Sequence, residues 1–334
     1  WGIYRKMKAL VYDSVQTLVY RDMPDPVAGA GQSLIRIEAS GICGSDMHAF
    51  LGHDDRRPAP LILGHEAAGT IVGGPQDGAR VTINPLVSCG SCQACKSGPD
   101  NLCPKRMIIS MPPREGAFAE MVVMRDENLV LVPDEVPLRK AALAEPLACG
   151  WHAVRLGSTI LDMPLRDAKC HVIGGGAIGV GAALALRAFG ATQITVAEPN
   201  AVRRATLDRI DGFDAVAPGD VTQADLVIDG VGYAATRADA TAITQPGGVI
   251  MHIGLGESEG GLDIRRMTLQ EITFVGTYTY TAQDFRDTAA AIFDGRLGAL
   301  DWTEQRPLID GQQAFTDIRA GNVAAPKIIL EPNP

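Results

Sequence analysis

The stretch KCHVIGGGAIGVGAALALRAFG, residues 169–190, constrains this chain more than any other. A continuous apolar run ends in three glycines. An alanine-rich segment with helical spacing follows, and Gly190 closes it as a helix-terminating glycine. Gly174, Gly176 and Gly179 stand in G-x-G-x-x-G spacing, and Glu198 comes 24 residues after Gly174, at the end of the next apolar run, QITVAEP. Glycines after a strand often make only a turn. Here strand, glycine loop, helix and acid follow one another in the order a dinucleotide site needs. Gly176 would let backbone approach a pyrophosphate, whose charge suits the helix N-terminus. The Glu198 carboxylate can accept hydrogen bonds from a ribose 2′-hydroxyl and would repel a 2′-phosphate, which favours NAD over NADP. Arg203 could stack on or bond to the adenosine, and with Arg204 it keeps NADP open as the lesser expectation.

The pattern changes character on either side of that unit. Over residues 7–147 the chain is a series of short β-rich runs, such as KALVYD, SLIRIEAS, AAGTIVGG, ARVTINPL, AEMVVM and NLVLVP, broken by Gly and Pro. Over 148–255 strand and helix alternate, the signature of a parallel sheet with helices on both faces. Residues 256–334 add a strand at ITFVGTYTY, a helix at AQDFRDTAAAIFDGRL and a closing strand at KIILEP. A chain of 334 residues suffices for about two domains. The fold class expected is α/β: a compact β-rich unit beside a doubly wound parallel sheet. The formal charge of −9 argues against a nucleic-acid partner, and no apolar run reaches the roughly 18 residues of a membrane span. The opening WGIYRKMKALVYD has no apolar core of an export signal, and Met7 is a candidate native start after residues 1–6. A cytoplasmic setting with reduced thiols is therefore expected.

Four of the seven cysteines crowd into CGSCQACKSGPDNLC. Cys89, Cys92, Cys95 and Cys103 have the spacing C-x2-C-x2-C-x7-C. Four thiolates close a tetrahedral zinc shell with no open position, so this lobe, residues 89–103, reads as a structural site. An iron–sulfur cluster is the main rival, since close C-x2-C repeats also suit it. The acidic charge disfavours a nucleic-acid zinc ribbon. Chemistry is expected elsewhere. GICGSDMHAF and LILGHEAAG supply Cys43, His65 and Glu66, three donor types acceptable to zinc, and LAEPLACGWHA offers Glu145 where the two units meet.

Taken in order, these stretches resemble the zinc-dependent medium-chain alcohol dehydrogenases over essentially the whole length from Met7. GICGSD, GHEAAG, the four-cysteine lobe, EPLACG, VIGGGAIG with Glu198, and the closing KIIL carry the resemblance. It implies a GroES-like catalytic domain from both chain ends, a Rossmann domain between them, and one catalytic and one structural Zn2+ per chain. It implies that Cys43 and His65 bind the catalytic zinc, with Glu66 and Glu145 as ligands or as near neighbours exchanging with water. Ser45 corresponds to a proton-relay hydroxyl and His48 to the outer end of that relay. Ile178 and the stretch Ile253, Gly254 and Leu255 would line the cofactor path. A homodimer or homotetramer is implied as well.

Within that family, EPL beside an acid resembles the polyol branch, which includes sorbitol, threonine and butanediol dehydrogenases. The chain departs from sorbitol dehydrogenases in two places: Ala49 and then Phe50 follow GSDMH, where a Tyr is usual, and Thr279 stands where an Arg is usual. The expected activity is hydride transfer between NAD and a secondary alcohol of a polyol, sugar acid or related hydroxy compound, the partner being a small alcohol or ketone. An L-threonine or 2,3-butanediol dehydrogenase is the alternative enzyme. A cofactor-binding sensor or structural protein is the alternative without turnover, and the retained Cys43, Ser45, His48, His65 and Glu66 weigh against it. Cys149 and Cys170 read as small buried residues and Trp151 and His152 as helix packing. Tyr278 and Tyr280 read as strand packing or interface residues, and residues 125–127 as a solvated turn.

Overall fold

The computed structural model describes residues 6–332, so all but the last residue of the stretch before Met7 lies outside the described residues. The β-branched runs of the first half pair into a seven-stranded sheet ordered Leu129–Leu131, Arg80–Ile83, Glu66–Val72, Gln32–Gly41, Lys327–Glu331 and Thr303–Pro307, with Met121–Arg125 also pairing with Gln32–Gly41. The closing strand Lys327–Glu331 runs antiparallel to Gln32–Gly41, setting Ile329 opposite Gly41, and parallel to Thr303–Pro307. A small sheet of Thr17–Pro24, Lys6–Ser14 and Leu61–Ile62 covers one side. Alternate residues of these strands, including Ile35, Ile37, Ile71 and Ile83, fill a dry core.

The second sheet is wholly parallel. Its order is Asp214–Val216, Gln193–Ala197, Lys169–Ile173, Ala224–Asp229, Thr244–His252 and Thr273–Gly276. Chain order reverses on either side of Lys169–Ile173, the crevice where such sheets bind ligands at their carboxyl ends. The sheet continues past residue 255: Thr273–Gly276 pairs with Thr244–His252 after a glycine-rich connection. Helix Ala177–Ala188 ends at Gly190, whose φ of +95° suits only a residue without Cβ. The helix read in AVRRATLDRI is shorter, Ala201–Leu207, and Asn200 caps it by accepting from the backbone N–H groups of Val202 and Arg203.

One expectation needs correction. ITFVGTYTY is strand only through Gly276, because Thr279 takes φ +47°, a left-handed conformation that no strand contains. Tyr278 and Tyr280 therefore sit on a turn. That turn leads into helix Ala282–Phe293, which packs on helix Ala144–Ile160.

Candidate active site

A cleft of about 410 Å³ lies between the two sheets. Cys43, Met47, Glu66 and Lys327 line one wall, and Gly174, Gly176, Ile178, Gly179, Glu198 and Arg203 line the other. A larger cavity of about 710 Å³ opens beside Lys169, His171 and Asp214. It sits at the amino ends of the parallel strands, away from every candidate residue, whereas ligands of such sheets bind at the carboxyl ends. The smaller cleft, which gathers candidate residues from both units, is the candidate site.

Cys43 immediately precedes helix Gly44–Phe50. Its backbone N–H donates to Asp46 Oδ2 at 2.9 Å, and the other oxygen of the buried Asp46 accepts from the Gly64 N–H at 3.2 Å. Asp46 Oδ1 also lies 3.5 Å from His65 Nδ1, and Ser110 Oγ lies 3.3 Å from the same nitrogen. With Nδ1 so engaged, Nε2 turns toward Ser45 Oγ, 3.4 Å away. This is how a carboxylate orients a metal-binding imidazole from behind. Burial alone would depress the His65 pKa, but Asp46 and Cys43 outweigh it and raise the value well above the ordinary histidine range. Proton and metal would compete for Nε2.

Glu66 begins strand Glu66–Val72 and is fully buried. Lys327 Nζ donates to its Oε1 at 2.6 Å and to the Ile42 carbonyl at 2.7 Å. Glu66 Oε2 has no hydrogen-bond partner and lies so close to Gly41 that a Cβ there would sit 2.0 Å from it. An orphaned, buried carboxylate oxygen is costly unless a cation or donor meets it. Glu145, in the first turn of helix Ala144–Ile160, accepts from the Tyr280 hydroxyl at 2.8 Å. Burial pushes its pKa up to about 7, opposed by His65 and assisted by Glu66. A thiol, an imidazole whose Nε2 faces only the Ser45 hydroxyl and two buried carboxylates fit the donor set of a catalytic zinc. They are less tightly gathered than the cysteines. Among the described residues only Cys89, Cys92, Cys95 and Cys103 bring every donor atom within 4.8 Å of the others. His48 faces His53, ring centroids 6.4 Å apart, and no hydrogen bond joins it to Ser45.

The dinucleotide loop is built as its spacing requires. Gly174 takes φ +101°, and a Cβ on Gly179 would lie 1.7 Å from the Gly174 carbonyl oxygen, so the helix packs onto the loop only with glycine there. A Cβ on Gly176 would meet nothing within 4 Å, which leaves room for a phosphate at the helix N-terminus. Glu198 accepts from the Gly175 N–H at 3.1 Å and the Asn200 N–H at 2.8 Å, and Arg203 Nη1 lies 3.6 Å from it. Arg203 also donates to the Val323 carbonyl, while Arg204 turns to the Glu198 backbone carbonyl at 2.6 Å. Ile253, Gly254 and Leu255 follow strand Thr244–His252. Gly254 packs on the Val231 backbone at the cleft edge, and Leu255 is 75% exposed. None of the three lines the cleft itself.

In the lobe, Cys92 and Cys95 sulfurs are 3.4 Å apart, Cys89 and Cys95 sulfurs 3.9 Å, and the Cys89 N–H donates to Cys103 Sγ at 3.4 Å. All four are free thiols. A tetrahedron with metal–sulfur bonds of about 2.3 Å has edges of about 3.8 Å, so these spacings fit one closed metal shell. Trp151 packs edge-on against Phe189 as expected. His152 does more: its Nδ1 lies 2.7 Å from Asp284 Oδ2, and Arg155 Nε donates to Asp284 Oδ1 at 2.6 Å. Burial pushes the Cys170 thiol up to about 12 and the Cys149 thiol well above its ordinary range, so both are inert packing residues. Residues 125–127 are partly tethered, since Arg125 donates to the Ser88 carbonyl and Asp126 accepts from Ser33.

Sequence reasoning gave no role to Asp46, Ser110 or Lys327, and it read Tyr280 only as a strand-packing or interface residue. Asp46 and Lys327 stand inside quoted motifs, but their partners at Gly64, His65 and Glu66 are met only in the fold.

Comparison with known proteins bears on this geometry. Residues 29–134 match the family described as alcohol dehydrogenase GroES-like domain, and residues 177–294 match zinc-binding dehydrogenase. The chain is 32% identical to an L-galactonate-5-dehydrogenase of Escherichia coli, over 88% of this chain and 89% of that one. It is likewise 32% identical to a sorbitol dehydrogenase of Bacillus subtilis, over 83% of each. A solved zinc-binding dehydrogenase from Sinorhizobium meliloti 1021, bound to NADP, superposes with a TM-score of 0.86 at 26% identity, over 98% of this chain and 100% of that one.

Proposed function

This chain belongs to the zinc-binding alcohol dehydrogenase family, and on that premise we propose that it transfers a hydride between NAD and a secondary alcohol of a polyol, sugar acid or related hydroxy compound. The observation that carries the reading is the placement of Cys43 and Glu66 across one cleft from the glycine loop of residues 174–179. A nicotinamide reaching from that loop would meet a substrate held beside those donors.

Cys43, His65 Nε2 and one or both of Glu66 and Glu145 would hold the catalytic zinc, and Cys89, Cys92, Cys95 and Cys103 a structural one. When bound, the catalytic zinc supplies a Lewis acid that lowers the pKa of a substrate hydroxyl. Ser45, 3.4 Å from His65 Nε2, takes the hydroxyl proton. His48, one turn along the same helix, is its exit toward solvent. Asp46 keeps the imidazole in register. The buried carboxylates suit a hydroxyl-rich substrate, because an oxygen not engaged by zinc can accept a hydrogen bond from the neighbouring hydroxyl. The galactonate and sorbitol enzymes among the relatives support that class.

One solved relative carries NADP, so the cofactor choice rests on Glu198. Its carboxylate, at the end of strand Gln193–Ala197 and lining the cleft, would repel a 2′-phosphate. Ile178 lines the cleft, and residues 253–255, at its edge rather than in its wall, would meet a cofactor that reaches past that edge. The cysteines without disulfide partners support a reducing, cytoplasmic setting; no helix among the described residues is long and apolar enough to cross a membrane. A closed homodimer or homotetramer is the assembly that family membership supports.

The test is NADH formation by zinc-replete protein across polyols, aldonates, threonine and butanediols, with NADP in parallel. Turnover of a polyol or sugar-acid class with NAD is expected. Silence across that class from protein holding its metal would contradict the reading, and turnover of threonine or a butanediol alone would replace it.

A further inference from the structure

The cysteine lobe and Glu145 meet at one short segment, residues 278–281. From the lobe, Asn101 Nδ2 donates to the Tyr278 carbonyl at 2.7 Å, and just past the lobe the Arg106 guanidinium sits 4.5 Å from the Tyr278 ring centroid. The Asp100 carboxylate accepts from the Ala282 N–H, its oxygens at 3.0 and 3.3 Å, which satisfies an otherwise orphaned donor at the start of helix Ala282–Phe293. Between these two clamps stands Thr279 at φ +47°. A β-branched residue holds that conformation only when its surroundings impose it. Its own side chain gives nothing back, since Thr279 Oγ1 has no hydrogen-bond partner.

The turn has one visible consequence. It swings Tyr280 inward, fully buried, so that its hydroxyl donates to Glu145 Oε1 at 2.8 Å. On the far side, Thr281 and Asp284 bond reciprocally across the helix start. Asp284 in turn grips His152 and Arg155 of the helix that carries Glu145. The segment is fixed to the Glu145 helix at one end and to the lobe at the other, with the strained residue between.

We propose that Asp100 and Asn101 are positioning residues for Glu145: from the cysteine lobe they hold the left-handed Thr279 turn, and through it they set the Tyr280 hydroxyl on the carboxylate. The lobe is then more than a brace for the fold. Its order is transmitted to Glu145 through four residues. This inference rests on the reading of Glu145 as a site residue.

The test uses zinc-replete protein carrying Asp100→Ala, Asp100→Asn, Asn101→Leu, Tyr280→Phe and the double variant Asp100→Ala/Tyr280→Phe. Amide exchange, followed by mass spectrometry over residues 276–284, should rise about tenfold in Asp100→Ala, the scale of a lost hydrogen bond to a charged group, and should rise likewise in Asn101→Leu. Asp100→Asn keeps an acceptor and should stay near wild type. In kcat/KM, Asp100→Ala and Tyr280→Phe should each lose about tenfold, and the double variant no more than Tyr280→Phe alone, because the two act in series. In a Thr279→Gly background, where the left-handed turn is intrinsically acceptable, Asp100→Ala should cost less than about threefold.

Exchange that stays at the wild-type rate in Asp100→Ala, or losses that multiply to about a hundredfold in the double variant, would overturn the proposal. Glu145→Gln separates the two layers. Full turnover in that variant would sink the reading of Glu145, whereas an inactive Glu145→Gln beside unaltered exchange in Asp100→Ala would sink the positioning role alone.

Discussion

The cysteine lobe and the cluster around Cys43 draw on the same donor chemistry and are built in opposite ways. In the lobe, fifteen consecutive residues bring four identical donors within 4.8 Å of one another, and their geometry needs little from the rest of the chain. Around Cys43, three donor types arrive from residues 43, 65, 66 and 145. Each candidate beyond the thiol has a further partner: Asp46 and Ser110 on His65, Lys327 on Glu66, Tyr280 on Glu145. A site that only holds can be local and saturated. A site that must admit a substrate keeps donor positions open, so its side chains have to be fixed from behind, by partners that only the tertiary fold can supply.

That contrast can be broken at several points. The largest effect on stability is expected from Cys103→Ser, which opens the closed shell. Zinc should fall by about one per chain and the thermal midpoint by more than about 10 °C, since such sites contribute folding energy directly. Turnover per folded chain should fall by no more than about tenfold, the loss allowed by the link through residues 278–281. Calorimetry with metal counted on the same sample checks both.

Asp284→Asn comes next. It cuts the ionic cluster that ties the Glu145 helix to helix Ala282–Phe293, and removing one member of a buried pair should cost about 3 kcal/mol at neutral pH. Burial alone would raise the Asp284 pKa, but hydrogen bonds from His152, Arg155 and Thr281 to the ionised form outweigh it and hold the carboxyl well below its ordinary value. The unfolded chain therefore binds the proton more readily than the folded one. The stabilisation is present above the unfolded carboxyl value of about 3.9 and is lost as pH falls below it toward the folded value. Urea unfolding at neutral pH and again in acid should show the gap between wild type and variant closing as pH drops.

The smallest effect concerns the other wall of the cleft. Glu198→Ala removes the carboxylate proposed to repel a 2′-phosphate, and the ratio of kcat/KM for NAD over NADP should fall about tenfold. An unchanged ratio would move cofactor choice away from Glu198.

What was legible beforehand was what is local in the chain. The glycine loop, its acid at residue 198 and the cysteine lobe are each written within a few dozen residues, and the strands flanking them alternate or run apolar as their burial demands. The partners that orient the site were not legible, because Glu66 meets Lys327 across 261 residues and Glu145 meets Tyr280 across 135. The TYTY run reads as strand by composition. Its left-handed turn at Thr279 is imposed by Asp100 and Asn101, which nothing nearby in sequence announces. Strand Thr303–Pro307, TEQRP, is too polar to be read as one, and it pairs only because Lys327–Glu331 lies beside it.

The most direct measurement of the central claim, that the cleft works and the lobe holds, is zinc content and NAD-linked turnover on one preparation of Cys43→Ala. We expect zinc to fall from about two per chain to about one, turnover to fall at least about a thousandfold, and the thermal midpoint to stay within a few degrees of wild type. A variant that keeps wild-type turnover, or that keeps both metals and loses none of its activity, would contradict the assignment of Cys43 and with it the division of labour between the two sites.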